Sequence, residues 1–226
     1  LTTRSTDAQV PHLIVDDGRA GLSRLARHVV ATERERGMLT IALTGSSGKT
    51  STKDMLAQIL ETFGPTVAPV GSFNNEIGAP LTACRSNEDT SFLVSEMGAR
   101  GLGHISWLTS IVPPDVAMVL NVGIAHLGEF GSREVIAQAK GEIVGALAPD
   151  GWAVLNAADN LIAGMASRTH GHIAWFSPDA DHRRPDAEIE AWAESIHADD
   201  LDRHSFTLAA RYGETTWRSP VSLTTM

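Results

Sequence analysis

A glycine-rich turn at residues 44–50 separates an apolar run from a segment with helical spacing. The run covers residues 39–43, and the apolar residues after the turn are Met55, Leu56, Ile59, Leu60 and Phe63. This order predicts a strand, a loop and a helix that ends at Gly64-Pro65, because proline cannot continue a helix. The chain must therefore build its core around a strand whose carboxyl end meets the start of a helix.

Strand-like and helical segments alternate along much of the remaining chain. Short β-rich runs occur at 66–70, 91–95, 115–122, 151–155 and 172–176, and helical spacing is clearest at 18–33 and 132–148. Each parallel strand is reached through a crossover, so the alternation predicts an α/β fold with a mostly parallel sheet and flanking helices. After about residue 177 short alternating runs predict a small antiparallel β subdomain near the C-terminus.

The composition argues against several classes of function. The formal charge of −9 disfavours a nucleic-acid partner, since such proteins carry clustered basic residues. The one cysteine, Cys84, cannot form an internal disulfide, so we expect a cytoplasmic protein. No apolar stretch reaches the roughly 20 residues of a membrane helix, so we expect no membrane insertion. The sequence does not indicate an oligomeric state.

The glycine turn is an incomplete phosphate-loop pattern, because Leu43 stands where the general pattern has its first glycine. The rest still supplies backbone N–H groups for phosphate, a lysine for the terminal phosphates and a hydroxyl for Mg²⁺. The alternative is an ordinary turn with a solvated lysine, which the flanking strand and helix disfavour. The predicted nucleotide-binding residues are Thr44, Gly45, Ser46, Ser47, Gly48, Lys49, Thr50 and Ser51.

Further polar residues follow other predicted strands. Glu96 ends the third strand, and Asn121 and His126 follow the fourth. Ligands of open parallel sheets lie beyond the carboxyl ends of the strands, so we expect these residues to join the phosphate loop in one site. The alternatives are a surface carboxylate for Glu96 and a solvated loop side chain for His126.

Four groups of residues together resemble the Mur ligase superfamily, whose members are ATP-dependent amide-forming ligases. They are TGSSGKT at 44–50, GSFNNEIGAPLT at 71–82, EMGARGLGHI at 96–105, and NVGIAHLGEFGS at 121–132 with AKGEI at 139–143. The double asparagine and E-M-G-A are similar to the branch that adds D-alanyl-D-alanine. Ser72 departs from that branch, which usually has asparagine there.

The resemblance implies a domain organisation and a reaction. Residues 1–34 would be a remnant of an N-terminal domain with its linker helix, and residues 35–226 the central ATPase domain, with the C-terminal ligase domain absent. The implied cofactors are ATP and two Mg²⁺ ions. The implied substrates are UDP-MurNAc-tripeptide and D-Ala-D-Ala, contacted largely through the missing flanking domains. We therefore expect this segment to be nearly inactive on its own.

The resemblance also implies catalytic roles. Lys49 would neutralise the β- and γ-phosphates, and Thr50 and Glu96 would bind the first Mg²⁺. His126 would lie near the second metal ion. Lys140 matches a lysine that is often carbamylated in the superfamily, which would make it an anionic metal ligand. The alternative for Lys140 is an ordinary exposed lysine on a helix flank.

Other implied roles concern the substrate and the nucleotide. Asn74, Asn75 and Arg100 would face the nucleotide-linked peptide, and Asn121 would contribute to nucleotide binding. Asparagine near glycine also forms ordinary turns. Two other functions stay open: another amide ligase of the superfamily, such as a glutamate-adding enzyme, and a phosphate-loop module that binds nucleotide without catalysis.

Overall fold

The computed structural model describes residues 1–4, 9, 12–124, 127–200 and 203–222. The helices in the described residues are α1 (Gly18–Glu35), α2 (Lys49–Glu61), α3 (Gly78–Ala83), α4 (His104–Thr109), α5 (Leu127–Phe130), α6 (Arg133–Lys140), α7 (Glu142–Gly145) and α8 (Asn160–Ala163), followed by a 3₁₀ turn at Gly164–Arg168. The strands are β1 (Leu39–Thr44), β2 (Thr66–Val67), β3 (Phe92–Glu96), β4 (Val116–Val119), β5 (Trp152–Asn156), β6 (His172–Ser177), β7 (Ile189–Ala198), β8 (His204–Tyr212) and β9 (Thr215–Ser222).

Within the described residues, nine strands form one sheet in the order β2-β3-β1-β4-β5-β6-β7-β8-β9. Neighbouring strands from β2 to β7 are parallel, and β8 and β9 extend the edge as antiparallel strands. The predicted α/β fold with a mostly parallel sheet is confirmed. The predicted antiparallel strands are also present, and they continue the main sheet.

Strand β1 lies between β3 and β4 and leads directly into the glycine turn. All of its residues except Leu39 are buried, as expected for a parallel strand covered by helices on both faces. After β1 the chain builds β2 and β3 on one side and then crosses to β4 on the other. The carboxyl end of β1 is therefore a topological switch point, where open sheets bind ligands.

Helix α2 has the predicted position, but its inward face is not the expected one. The buried side chain of α2 is Lys53. Three apolar residues in or just after the helix are more than half exposed: Met55, Ile59 and Phe63. Helical spacing thus identifies the element, while packing against the sheet decides which face is covered.

The single helix predicted over residues 132–148 is wrong in one respect, because the structure divides it into α6 and α7. Gly141 separates the two helices, and the side chain of Arg168 lies against it. A Cβ atom added at Gly141 would lie 2.8 Å from Arg168 Nε. The predicted inward position of Ile143 is retained, since this side chain is fully buried.

The largest group of buried apolar side chains joins the sheet to its covering helices. It includes Ala42, Leu93, Val119 and Leu155 from four neighbouring strands and Ile136 from α6. This core fixes the strand ends that carry the candidate site. Within the described residues, no helix combines the length and the apolar character needed to cross a membrane.

Candidate active site

The loop of residues 45–48 leads directly into α2, a helix of 13 residues. Gly48 is the N-cap residue of α2, with φ of 75°, and no side chain caps the helix. A Cβ at Gly48 would meet nothing within 4 Å, so the left-handed backbone and not crowding favours glycine there. The N–H groups in the first turn of α2, which no side chain caps, and the positive end of the helix dipole together make this end of α2 suited to an anion.

Asn121 holds this loop from just beyond β4. Its Oδ1 accepts hydrogen bonds from the backbone N–H groups of Ser46 at 2.9 Å and Ser47 at 3.0 Å. Its Nδ2 donates to the Ser47 carbonyl at 3.1 Å, and the Gly123 N–H donates to Ser46 Oγ at 2.9 Å. The carboxamide of Asn121 thus fixes the shape of the loop through both of its polar atoms.

Thr50, Glu96 and Asn74 form a hydrogen-bonded group beside the loop. Thr50 Oγ1 donates to Glu96 Oε2 at 3.1 Å, and Asn74 Nδ2 donates to Glu96 Oε1 at 2.8 Å. Glu96 is only 1% exposed. Three segments that are distant in sequence therefore converge on one buried carboxylate.

Lys49 and Lys140 line one cavity of about 160 Å³. Lys49 Nζ donates a hydrogen bond to the Gly45 carbonyl at 2.9 Å. Lys140 is only 7% exposed, so it is not the exposed lysine of the alternative interpretation. Burial first, and the positive charge of Lys49 second, lower the pKa of Lys140 from 10.5 to about 8. Among the described residues, Lys140 Nζ forms no hydrogen bond or ion pair.

The residues predicted to face the substrate line the same cavity: Asn74, Asn75 and Arg100. Asn75 Oδ1 also accepts hydrogen bonds from the backbone N–H groups of Ile77 at 3.1 Å and Gly78 at 2.9 Å. Asn75 therefore makes the turn that starts α3, in agreement with the plainer interpretation of asparagine near glycine. Arg100 is exposed at the cavity wall.

Two other predicted residues are placed differently, and a third lies outside the described residues. Thr44 ends β1 and is fully buried, and its Oγ1 has no hydrogen-bond partner among the described residues. Ser51 is exposed in the first turn of α2. His126 lies outside the described residues, so its role near a second metal ion stays a prediction.

Glu142 supports the site in a way that the sequence did not indicate. Its two carboxylate oxygens accept hydrogen bonds from the backbone N–H groups of Gly103 at 2.6 Å and Ser106 at 2.9 Å, at the start of α4. This contact joins the segment after Lys140 to the segment that follows Arg100. Glu142 follows Lys140 by two positions in sequence, but only the fold reveals its partners.

The donor set fits a magnesium ion bound together with phosphate. Hydroxyl and carboxylate oxygens, here those of Thr50 and Glu96, are the ligands that Mg²⁺ prefers. In the described part of the chain Glu96 is buried without a positively charged partner, and a divalent cation would balance its charge. The described residues contain no group of three or more His, Cys, Asp or Glu that could hold a metal. Phosphate and water oxygens would therefore complete the coordination, as is usual for Mg²⁺.

The parallel sheet, its glycine loop at the switch point and the Thr50–Glu96 contact define a phosphate-loop protein. The family profile described as the Mur ligase middle domain matches residues 43–221. The chain belongs to the Mur ligase family, which confirms the predicted resemblance.

Individual relatives narrow the comparison to one branch of the family. The UDP-N-acetylmuramoyl-tripeptide--D-alanyl-D-alanine ligase of Mycobacterium bovis is 47% identical over 191 residues, which cover 84% of this chain and 36% of that protein. The crystal structure of MurF from Acinetobacter baumannii superimposes with a TM-score of 0.81 and 33% identity, covering 98% of this chain and 46% of that one.

A second solved structure carries a nucleotide. The MurF ligase from Thermotoga maritima, in complex with ADP, superimposes with a TM-score of 0.75 and 26% identity. That match covers 96% of this chain and 47% of the Thermotoga chain. This chain therefore spans less than half the length of each of the three proteins compared.

Proposed function

We propose that this chain is the ATP-binding part of a cytoplasmic ligase that joins D-Ala-D-Ala to UDP-MurNAc-tripeptide in peptidoglycan precursor synthesis. The observation that carries the proposal is the Thr50–Glu96 hydrogen bond, beside a cavity that Lys49 and Lys140 share. The identity to a ligase of that name supports the substrates. Because the chain spans only part of that relative, we assign most contacts with the nucleotide sugar and the dipeptide to other parts of the protein.

The proposed reaction has two steps. The γ-phosphoryl group of ATP moves to the peptide carboxylate, which gives ADP and an acyl phosphate. The amine of D-Ala-D-Ala then attacks the acyl carbon, and inorganic phosphate leaves. Two anions must meet in the first step, so positive charge at the site lowers the barrier most effectively.

The chain supplies that charge from several sources. Lys49 and the N–H groups at the start of α2 offset the negative charge of the phosphates. We assign one Mg²⁺ to Thr50 and Glu96, and a second to the neighbourhood of His126; these ions would neutralise charge on the transferred group. Asn74, Asn75 and Arg100 are assigned to the side of the cavity that receives the peptide.

Lys140 is assigned a carbamate. A neutral lysine amine can attack CO₂, which forms an N–C bond and releases one proton. A pKa of about 8 makes the neutral form far more abundant near neutral pH than in an ordinary lysine. The product is an anion with two oxygen atoms, suited to a hard cation where an ammonium group would be repelled.

Transfer of labelled oxygen tests the acyl phosphate directly. UDP-MurNAc-tripeptide with ¹⁸O in its reacting carboxylate would be incubated with ATP, Mg²⁺, D-Ala-D-Ala and the full-length protein. We expect one ¹⁸O atom in each phosphate released, because the carboxylate oxygen stays on phosphorus when the amine displaces it. Unlabelled phosphate alongside normal product would contradict the mechanism, and absence of product would contradict the proposed function.

A further inference from the structure

A buried lysine next to the site holds the segment that leads to Asn74. Lys53 lies one helical turn after Lys49 and has none of its surface exposed. Its Nζ donates hydrogen bonds to the carbonyl oxygens of Pro69 at 2.7 Å and Gly71 at 3.1 Å. It also pairs with Asp54 at 2.5 Å. A buried ammonium group is tolerated only when its donors are satisfied, and these three contacts match its three N–H donors.

The two carbonyls belong to a loop, residues 69–77, that reaches the centre of the site. Beyond Gly71, Asn74 donates its side-chain hydrogen bond to Glu96 and accepts one at its carbonyl from the Gly98 N–H at 2.9 Å. The loop is thus attached to α2 at its start and to the end of β3 in its middle. Its residues Asn74, Asn75 and Glu76 line the cavity that would receive the peptide.

We propose that Lys53 is a positioning residue, which fixes the loop of residues 69–77 so that Asn74 stays bonded to Glu96 and the peptide carboxylate is held at the phosphates. Its part in the reaction rests on the proposed function. Reacting groups must be held within a narrow range of distances, so loosening one wall of the site slows the reaction without removing a reacting group. Lys53 acts through the loop and touches neither substrate.

Replacement of the ammonium group tests this role. Lys53→Met retains most of the aliphatic length and removes all three donors. In the full-length protein, we expect backbone amides of residues 71–76 to exchange with deuterium at least about 10-fold faster, because the loop opens more often. We expect the KM for UDP-MurNAc-tripeptide to rise and kcat to fall, each by about 10-fold. The Kd for ADP without Mg²⁺ should stay within about twofold, since the phosphate loop keeps its own contacts.

Asp54→Asn is the matched control. It removes the charge of the exposed partner of Lys53 but retains an oxygen that can accept the same hydrogen bond, and it leaves both carbonyl contacts, so exchange and kinetics should match the wild type. If Lys53→Met does not fold, Lys53→Gln, which retains one donor group, should show smaller changes in the same direction.

Three outcomes distinguish the positioning role of Lys53 from a general packing role and from the proposed function of the protein. Unchanged exchange of residues 71–76 in a folded Lys53→Met variant would overturn the positioning role. Equal losses in ADP affinity, thermal stability and rate would overturn it too, because they indicate a general packing role. If the wild type forms no ADP with the two substrates, the proposed function fails, while the exchange data still decide whether Lys53 holds the loop.

Discussion

The hydroxyl of Thr50 donates to Glu96 Oε2 at 3.1 Å, although 46 positions separate the two residues in sequence. The contact follows from the sheet, since β1 and β3 are parallel neighbours and Leu43 pairs with Glu96. The glycine turn after β1 then brings the start of α2 over the end of β3. A hydroxyl and a buried carboxylate thereby meet where a phosphate-bound cation would need both.

Loss of the Glu96 charge should abolish most of the activity. Glu96→Gln retains the shape of the side chain and one acceptor, but it removes the anion assigned to Mg²⁺. We expect the rate of ADP release by the full-length protein to fall by about 10²-fold or more, because electrostatic stabilisation is lost. The exposed Glu61 at the end of α2 offers a matched control, and Glu61→Gln should retain the wild-type rate. A Glu96→Gln rate near that of the wild type would remove the proposed role.

Asn121 should affect nucleotide affinity, because its side chain fixes the shape of the loop of residues 45–48. Asn121→Ala removes the acceptor for two backbone N–H groups and the donor to Ser47. We expect the affinity of this chain for ADP, measured by calorimetry, to fall by about 10-fold, because about 1.4 kcal/mol of the binding free energy would then be used to order the loop. Asn87→Ala makes the same substitution in a turn before β3, at the opposite end of the strand, and should leave the affinity unchanged. Equal effects of the two variants would contradict this role.

Lys140 should form a carbamate that depends on pH. Its pKa of about 8 means that the neutral amine becomes the major form as pH rises through 8, where an ordinary lysine with pKa 10.5 stays protonated. With ¹³C-labelled bicarbonate we expect a carbamate NMR signal that increases from pH 7 to about pH 9. Lys140→Arg should lack this signal, because a guanidinium group stays protonated. Identical spectra from the two proteins would contradict the assignment.

Glu190 should be important for stability. It is 2% exposed on β7 and accepts hydrogen bonds from Arg183 at 2.5 Å, Arg211 at 3.0 Å and the Arg184 N–H at 2.9 Å. Glu190→Gln leaves Arg183 and Arg211 without a buried counter-charge, so we expect the free energy of unfolding to fall by about 3 kcal/mol. Urea denaturation would measure it. Glu194→Gln, at a more exposed ion pair with Arg218, should lower the free energy of unfolding much less.

The stability from Glu190 should also depend on pH. Burial raises the pKa of Glu190, but hydrogen bonds from Arg183, Arg211 and the Arg184 backbone outweigh burial and hold the pKa below 4.5. The unfolded state therefore binds the proton more tightly. The contribution is complete above about pH 4.5 and is lost as pH falls through the lower pKa of the folded state. In the Glu190→Gln variant, the free energy of unfolding should therefore depend less on pH over this acidic range. An unchanged pH dependence of the unfolding free energy in that range would contradict this explanation.

The features of the site that depend on neighbouring residues could be predicted from the sequence, and the contacts between residues distant in sequence could not. The strand, glycine turn and helix around Lys49 follow from neighbouring residues, and Glu96 was predicted from its place at the end of a strand. The contact of Lys53 with Pro69 and Gly71 depends on how α2 packs, which helical spacing alone does not specify. Similarly, the contact of Arg168 with Gly141 involves a side chain from another part of the chain, which the sequence pattern of residues 132–148 does not specify.

Choice of amine donor tests the central claim most directly. ADP release by the full-length protein would be measured with ATP, Mg²⁺ and UDP-MurNAc-tripeptide, in parallel with D-Ala-D-Ala, D-alanine or glutamate. We predict fast release with D-Ala-D-Ala and almost none with the other two amines or without the tripeptide. Release that prefers glutamate would identify a different ligase of the family, and nucleotide binding without release for any amine would identify a non-catalytic module; either result would contradict the proposed function.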